Sequence, residues 1–211
     1  DDAMDAAAKR GQYIYLSLGV GPDAPDWIYG QGVPRVLCKD QKVDSWPVYP
    51  FYPSKEYKAL LERLVAAFGK RIRSYPPEKQ ARIAFIQVKT GCTGDECAYK
   101  GDAIEKKYDL QTKSSAWREF RLWQFGLFTK TFQGVPNQPR IALMFNNVTS
   151  DDDESGGKGY DEEWKWVTDN VTGGIAIKRD HWLIGDTPEH LELMLGDGCA
   201  ERRNGAFKPR L

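Results

Sequence analysis

The chain is poor in the residues that most often bind metals. It has only two histidines, His181 and His190, and four cysteines. Cys92 and Cys97 are close in sequence, but a structural zinc site needs a second close pair of ligands. We therefore expect no metal site.

Other classes of protein are excluded by further absences. The 30 basic residues are balanced by 30 acidic ones, so the chain lacks the positive charge of a general nucleic-acid binder. No apolar run approaches the roughly 20 residues that a helix needs to span a bilayer. No glycine-rich phosphate loop follows a predicted strand, which argues against a flavin or nucleotide site. We expect no nucleic-acid partner, no membrane span and no cofactor.

Aromatic residues, by contrast, are plentiful. The chain has seven Trp and ten Tyr, and many stand beside Gly, Pro and Asp in stretches typical of loops. Exposed aromatic rings next to carboxylates suit sugars, because the C–H faces of a sugar stack on an indole while its hydroxyls form hydrogen bonds. Carbohydrate is the partner that this composition favours.

An extracellular location is indicated by the cysteines and by two glycosylation motifs. The four cysteines are Cys38, Cys92, Cys97 and Cys199. Cys92 and Cys97 are close enough in sequence to close a small disulfide loop, with the other two either paired or as thiols. Asn147 and Asn170 each begin an Asn-Val-Thr sequon, so both are candidate sites for N-glycans.

Strand and helix patterns alternate along the chain. Short β-branched and aromatic runs predict strands near 13–18, 83–88, 140–145 and 174–179. Apolar residues at helical spacing predict helices from Ser54 to Arg73, from Ser114 or Ser115 onwards, over 162–168 and over 187–195. Such alternation predicts parallel strands joined by right-handed helical crossovers, in a single α/β domain over residues 1–211.

The number of βα units leaves two architectures open. Four units are too few for a closed eight-stranded barrel, which takes roughly 250 residues. The fold is then either an open α/β sheet or an incomplete TIM-barrel-like (β/α)8 fold that further protein segments complete. The long aromatic segment from Gly19 to Pro53 favours the barrel, because barrel enzymes build their sites from extended βα loops.

The segment after the strand 83–88 carries the strongest functional signal. Gly91 and Gly94 allow a tight turn that leads to the acidic pair Asp95 and Glu96. Parallel α/β folds place their chemistry at the carboxyl ends of their strands. A carboxylate held there among aromatic rings could be the acid and base of glycoside cleavage. Alternatively, the two carboxylates cap the next helix or lie in solvent.

Three passages carry a resemblance to a known family. Tyr15-Leu-Ser-Leu-Gly-Val-Gly-Pro-Asp-Ala-Pro-Asp-Trp27, with Gly32-Val-Pro after it, is a strand followed by glycine, Pro-x-Trp and Gly-Val. Trp46-Pro-Val-Tyr-Pro-Phe-Tyr-Pro leads into a helix, and Phe68-Gly-Lys-Arg-Ile-Arg-Ser-Tyr75 ends it. Over residues 1–185 these passages resemble the β-galactosidase-like members of clan A, the retaining glycoside hydrolases with (β/α)8 barrels.

The resemblance implies a catalytic role for Glu96. The strand before it corresponds to the fourth strand of the barrel, whose end carries the acid/base glutamate. Glu96 would protonate the departing glycosidic oxygen and then deprotonate water, with a pKa raised by burial and by the charge of Asp95. Family members usually have Asn where this chain has Asp95. The nucleophile belongs at the end of the seventh strand, and Glu201 lies in a stretch that does not resemble a strand, so no nucleophile is identified.

Further residues are candidate contacts with a sugar. They are Trp27, Trp46, Lys89, Asp95, Asn146 and Lys178. The two tryptophans would form stacking walls, or would be core residues that anchor loops. Lys89, Asn146 and Lys178 lie at or just past predicted strand ends, where they would bond sugar hydroxyls or acidic groups, or be structural.

Two functions follow from these observations. The first is a secreted glycoside hydrolase that cleaves a poly- or oligosaccharide by general acid/base catalysis. The alternative is a non-catalytic carbohydrate-binding or structural module that keeps the barrel scaffold inside a larger extracellular assembly. Glu96 favours the first, and the missing nucleophile favours the second.

Overall fold

The computed structural model of the protein describes residues 2–22, 24–39, 48–92, 97–110, 115–145, 158–172 and 175–176. The helices are α1 (Asp2–Lys9), α2 (Trp27–Gly30), α3 (Lys55–Arg73), α4 (Pro77–Gln80), α5 (Ser115–Phe132) and α6 (Lys158–Asn170). The strands are β1 (Ile14–Ser17), β2 (Arg35–Leu37), β3 (Val48–Pro50), β4 (Ile83–Val88), β5 (Leu143–Phe145) and β6 (Ile175–Ala176).

The main sheet is parallel, and its strand order follows the chain. β1 pairs with β4, β4 with β5, and β5 with the two-residue β6. α3 packs against α5 and α5 against α6, which agrees with the general rule that right-handed crossovers in a sheet of this order place their helices on one face. The predicted parallel strands and helical crossovers are confirmed, while the strands that the structure describes form no closed barrel.

One face of this sheet is covered by helices, and the other is partly open. Phe145 of β5 meets Phe125 of α5 with ring centroids 4.9 Å apart. Because side chains alternate along a strand, Tyr15 and Phe85 lie on the opposite face, where their rings stack at 5.3 Å. Tyr15 is 59% exposed there. The open face therefore carries aromatic surface that the described residues leave in contact with solvent.

Helix α3 begins and packs as its sequence predicts. The side chain of Ser54 caps the helix by accepting a hydrogen bond of 3.2 Å from the backbone N–H of Tyr57. Tyr57, Leu61, Val65 and Ile72 are buried along one stripe, which is the spacing of an amphipathic helix. The cap and the stripe together fix α3, the long helix in the crossover from β1 to β4.

The segment from Gly19 to Pro53 is more regular than its sequence predicts. It contains α2 and the antiparallel pair of β2 and β3, whereas the sequence predicts an extended βα loop. Cys38 forms a further antiparallel bridge with Ala103. Such short strands escape sequence patterns because their pairing partners, not their own periodicity, hold them extended.

Two predicted helices have different outcomes. The helix predicted over 162–168 is α6, which runs from Lys158 to Asn170 and is therefore longer. The helix predicted over 187–195 lies outside the described residues. Within the described part of the chain, no helix is both long and apolar enough to cross a membrane.

Candidate functional site

The carboxyl ends of β1 and β4 meet through two glycines. Gly21 has a φ of 103°, a conformation that a residue with a side chain rarely adopts. A Cβ atom at Gly21 would lie 2.8 Å from the carbonyl oxygen of Gly91 and 3.1 Å from the hydroxyl of Tyr52. The loops after the two strands therefore touch, and the Tyr52 hydroxyl lies at their contact.

The turn after β4 is closed at its base. Gly91 has a φ of 71° and redirects the chain. The backbone N–H of Cys92 then donates a hydrogen bond of 3.1 Å to the carbonyl of Cys97, and the two sulfur atoms lie 2.8 Å apart. Asp95 and Glu96 follow Cys92 in sequence and lie outside the described residues.

A buried glutamine secures the strand that leads into the turn. Gln124 of α5 is 1% exposed, and its side-chain amide donates a hydrogen bond of 2.7 Å to the backbone carbonyl of Lys89. Lys89 itself is half-buried, and the next residue, Thr90, is buried. The carboxyl end of β4 is thus fixed by α5 as well as by its neighbouring strands.

Buried aromatic rings lie against this end of the sheet. Tyr52 stacks on Tyr99 with centroids 5.7 Å apart, and its ring also meets Trp117 at 5.4 Å and Phe120 at 5.7 Å. Tyr49 is fully buried, and its hydroxyl accepts a hydrogen bond of 3.3 Å from the backbone N–H of Lys100. These rings form an apolar cluster, hereafter the tyrosine cluster, next to the turn.

The phenols of the tyrosine cluster are neutral at physiological pH. Burial raises the pKa of Tyr52 well above its usual value, and it raises the pKa of Tyr49 to about 12. The hydroxyls of Tyr52 and Tyr99 are buried and have no hydrogen-bond partner within the described residues. A buried, neutral phenol without a partner is a hydrogen-bond donor available to a nearby acceptor.

No pattern in the sequence identifies these tyrosines as core residues. The composition indicates loop-like surroundings for many aromatics, whereas Tyr49, Tyr52 and Tyr99 are buried. The flanking prolines make the segment around Tyr49 and Tyr52 look like a loop. Tyr99 lies far away in sequence, and no local pattern reveals that the rings pack together.

Trp27 is the first residue of α2, in the connection between β1 and β2, and its side chain is 60% exposed. Its neighbours on α2 are anchored, because Arg35 of β2 packs over the Tyr29 ring at 4.1 Å and reaches Asp26 at 3.5 Å. Ile28 is buried beneath them. The helix therefore holds the Trp27 indole outward, which removes the alternative that it is a core residue.

Of the predicted site residues, the structure describes two. Lys89 directly follows β4 and lies beside the closed turn, as its sequence position predicts. No hydrogen bond or ring contact in the described part of the chain joins it to Trp27. The other predicted site residues lie outside the described residues; they are Trp46, Asp95, Glu96, Asn146 and Lys178.

Cys92 and Cys97, the pair predicted to form a disulfide, lie close together, and the disulfide itself stays a prediction. Their separation of 2.8 Å is longer than a disulfide bond, which measures about 2.05 Å. Cys38 is a buried thiol whose pKa is raised to about 11, mainly by burial, and Cys199 lies outside the described residues. Searching the described ranges finds no group of three His, Cys, Asp or Glu side chains that could hold a metal.

Comparisons with known proteins add no assignment. The chain matches no protein-family model, and comparison with curated proteins and with solved structures finds no match. The resemblance to clan A glycoside hydrolases therefore stays a prediction.

Proposed function

We propose that the chain is a glycoside hydrolase with a TIM-barrel-like fold, and that Glu96 is its general acid and base. The observation that carries this proposal is the pair of contacts, a backbone hydrogen bond and a sulfur contact, that joins Cys92 to Cys97 just after the carboxyl end of β4. In parallel α/β folds this is the edge where reacting groups lie. A turn with a fixed base is also the support that an acid catalyst needs, since it must keep its distance to the glycosidic oxygen.

The surroundings of the turn suit the chemistry. The tyrosine cluster supplies apolar surface, which disfavours a charged carboxylate and so raises the pKa of an acid placed against it. Such an acid keeps its proton near neutral pH and can protonate a leaving group. Lys89 would contact sugar hydroxyls or an acidic substituent on the same edge, together with Asp95, Asn146 and Lys178.

A carbohydrate-binding module without catalysis is the second candidate, and the exposed Trp27 favours it. An indole held outward on an anchored helix offers a flat surface for a sugar ring, with or without hydrolysis. In either case, we propose a secreted protein in which other segments complete the barrel. Asn170, at the exposed end of α6, and Asn147 would carry N-glycans.

Hydrolysis by the Glu96→Gln variant tests the proposal. On aryl glycosides with poor leaving groups, turnover should fall by roughly 100-fold or more, because departure of the aglycone requires protonation. Substrates with good leaving groups should lose less in the first step. Glu105→Gln is the matched control, since Glu105 is exposed and pairs only with Lys107 among the described residues. Equal, slight losses on both substrates would show that Glu96 is not the acid.

Binding separates the two candidates. If Trp27 stacks on sugar, Trp27→Ala should weaken oligosaccharide binding roughly fivefold to tenfold, from about 1–1.4 kcal/mol of lost contact. Tyr13→Ala is the control, because Tyr13 is 66% exposed but precedes β1, at the other end of the strand. Binding without hydrolysis by the unaltered protein would favour the module, and an equal effect of both variants would remove Trp27 from the site.

A further inference from the structure

Cys92 and Cys97 are placed as reaction partners. Their sulfurs are 2.8 Å apart, and a backbone hydrogen bond of 3.1 Å joins the same two residues. That hydrogen bond keeps the two backbones close, which is the first requirement for a disulfide. Only a small shortening of the sulfur distance separates this arrangement from a covalent bond.

The two thiols differ in access. Cys92 is 1% exposed, whereas Cys97 is half-buried. A small disulfide in solution therefore reaches Cys97 first. Cys38 differs from both: it is buried at its bridge with Ala103, and burial raises the pKa of its thiol to about 11, so it is mostly unreactive at neutral pH.

We propose that Cys92 and Cys97 are a redox modification site, at which a reversible disulfide adds a covalent link to the hydrogen bond that already joins these two residues. The oxidant is a small-molecule disulfide such as oxidised glutathione. The Cys97 thiolate attacks one glutathione sulfur, expels the first glutathione thiolate and forms a mixed disulfide. The Cys92 thiolate then attacks Cys97 and expels the second. The two cysteine protons pass to the two glutathiones, which are reduced by two electrons while the protein is oxidised by two.

The bond would control the acidic turn. It links the two residues that flank 93–96, so it removes conformations in which the base of the turn opens. Any effect of the disulfide on hydrolysis rests on the proposed function, in which Glu96 is the acid. The oxidised form should then hydrolyse glycosides with poor leaving groups roughly threefold or more faster than the reduced form, since small misplacements of a catalytic group are costly.

Alkylation and peptide mapping after equilibration in glutathione buffers test the site without any assay of activity. Oxidising buffers should link Cys92 to Cys97 with the loss of two hydrogen atoms, and reducing buffers should restore both thiols. Cys38 should be alkylated only after unfolding. In Cys92→Ala, Cys97 should stop at the glutathione adduct, while in Cys97→Ala, Cys92 should stay largely unmodified. Cys38→Ala is the control and should oxidise normally.

The outcomes separate this inference from the proposed function. A lasting glutathione adduct on Cys97 in the unaltered protein, or no link in excess oxidised glutathione, would overturn the modification site. Hydrogen exchange over 91–98 should slow on oxidation, and equal exchange in both forms would overturn the restraint that the disulfide places on this segment. A disulfide that forms in a protein with no glycosidase activity would keep the site and reject the hydrolase. Equal turnover in both redox forms would reject only the control of activity.

Discussion

The buried ion pair between α5 and α6 gives the sharpest test of the packing. The guanidinium of Arg121 lies 3.2 Å from a carboxylate oxygen of Glu163, and the two side chains are only 2% and 6% exposed. One residue earlier on α6, Glu162 pairs with Arg118 at 2.9 Å, but there the side chains are 60% and 23% exposed. The same two helices thus carry a buried pair and a surface pair.

The two pairs should respond very differently to loss of the carboxylate. Glu163→Gln removes the carboxylate that pairs with the buried Arg121 charge, and removal of one partner of a buried pair typically costs about 3–5 kcal/mol of unfolding free energy. Glu162→Gln removes a partner that water replaces, so the cost should be about 0–1 kcal/mol. For a chain of this size each kcal/mol lowers Tm by about 2–4 °C. We expect Tm to fall by about 6–20 °C in Glu163→Gln and by at most about 4 °C in Glu162→Gln.

Thermal and urea unfolding of both variants, followed by circular dichroism, measure these losses. The double variant Arg121→Met/Glu163→Leu separates loss of a pair from loss of one partner. Removing both charges should recover much of the loss seen in Glu163→Gln, because no unpaired charge stays buried. Similar small losses of unfolding free energy in Glu163→Gln and Glu162→Gln would refute the burial of the Arg121–Glu163 pair. A double variant less stable than Glu163→Gln would show that the buried charge of Arg121 is not the cause of the loss.

Three further predictions concern the site and its surroundings. Gly21→Ala should lower the free energy of unfolding by roughly 2 kcal/mol or more, because Gly21 has a φ of 103° and contacts the turn after β4. Gly30→Ala is the control and should not destabilise the protein, because no atom lies within 4 Å of the Cβ it would add. Urea unfolding measures both variants. Tyr52→Phe removes a buried hydroxyl that has no hydrogen-bond partner within the described residues, so the free energy of unfolding should stay the same or rise. Tyr49→Phe removes a hydroxyl that accepts a hydrogen bond, so the free energy of unfolding should fall by about 1 kcal/mol. A greater loss in Tyr52→Phe would contradict this. The free energy of unfolding should fall as pH rises from 9.0 to about 11, because the Cys38 thiol ionises more readily in the unfolded chain. In Cys38→Ala this fall should be shallower. The same dependence on pH in both proteins would contradict a raised pKa of Cys38 in the folded state.

Local signals in the sequence were sufficient where a residue acts on its own element. Ser54 was predicted to start a helix, and it caps α3. The apolar run 83–88 was predicted as a strand and has those bounds as β4. Caps and apolar runs depend on residues a few positions apart, so they can be read before tertiary structure is known.

Features that depend on distant residues could not be predicted in this way. Arg121 and Glu163 each look like ordinary surface charges on amphipathic helices, and only the packing of α5 on α6 buries them together. The contact of Gly21 with the β4 turn likewise joins two loops that the sequence separates. The candidate site could be predicted as a position on the sheet edge, but its tyrosine cluster could not.

The open face of the sheet bears on the choice between a barrel and a doubly wound fold. Parallel sheets are normally covered on both faces, and a doubly wound sheet achieves this by reversing its strand order. Here the described strand order never reverses and α3 packs against α5, which is the arrangement expected when crossovers of one hand place both helices on the same face. The face of Tyr15 and Phe85 is left for other residues to cover. In a barrel that face is the interior, filled by side chains from the remaining strands. The partly open face that Tyr15 and Phe85 share in the described part of the chain is therefore what supports our proposal of a TIM-barrel-like fold over an open, doubly wound sheet.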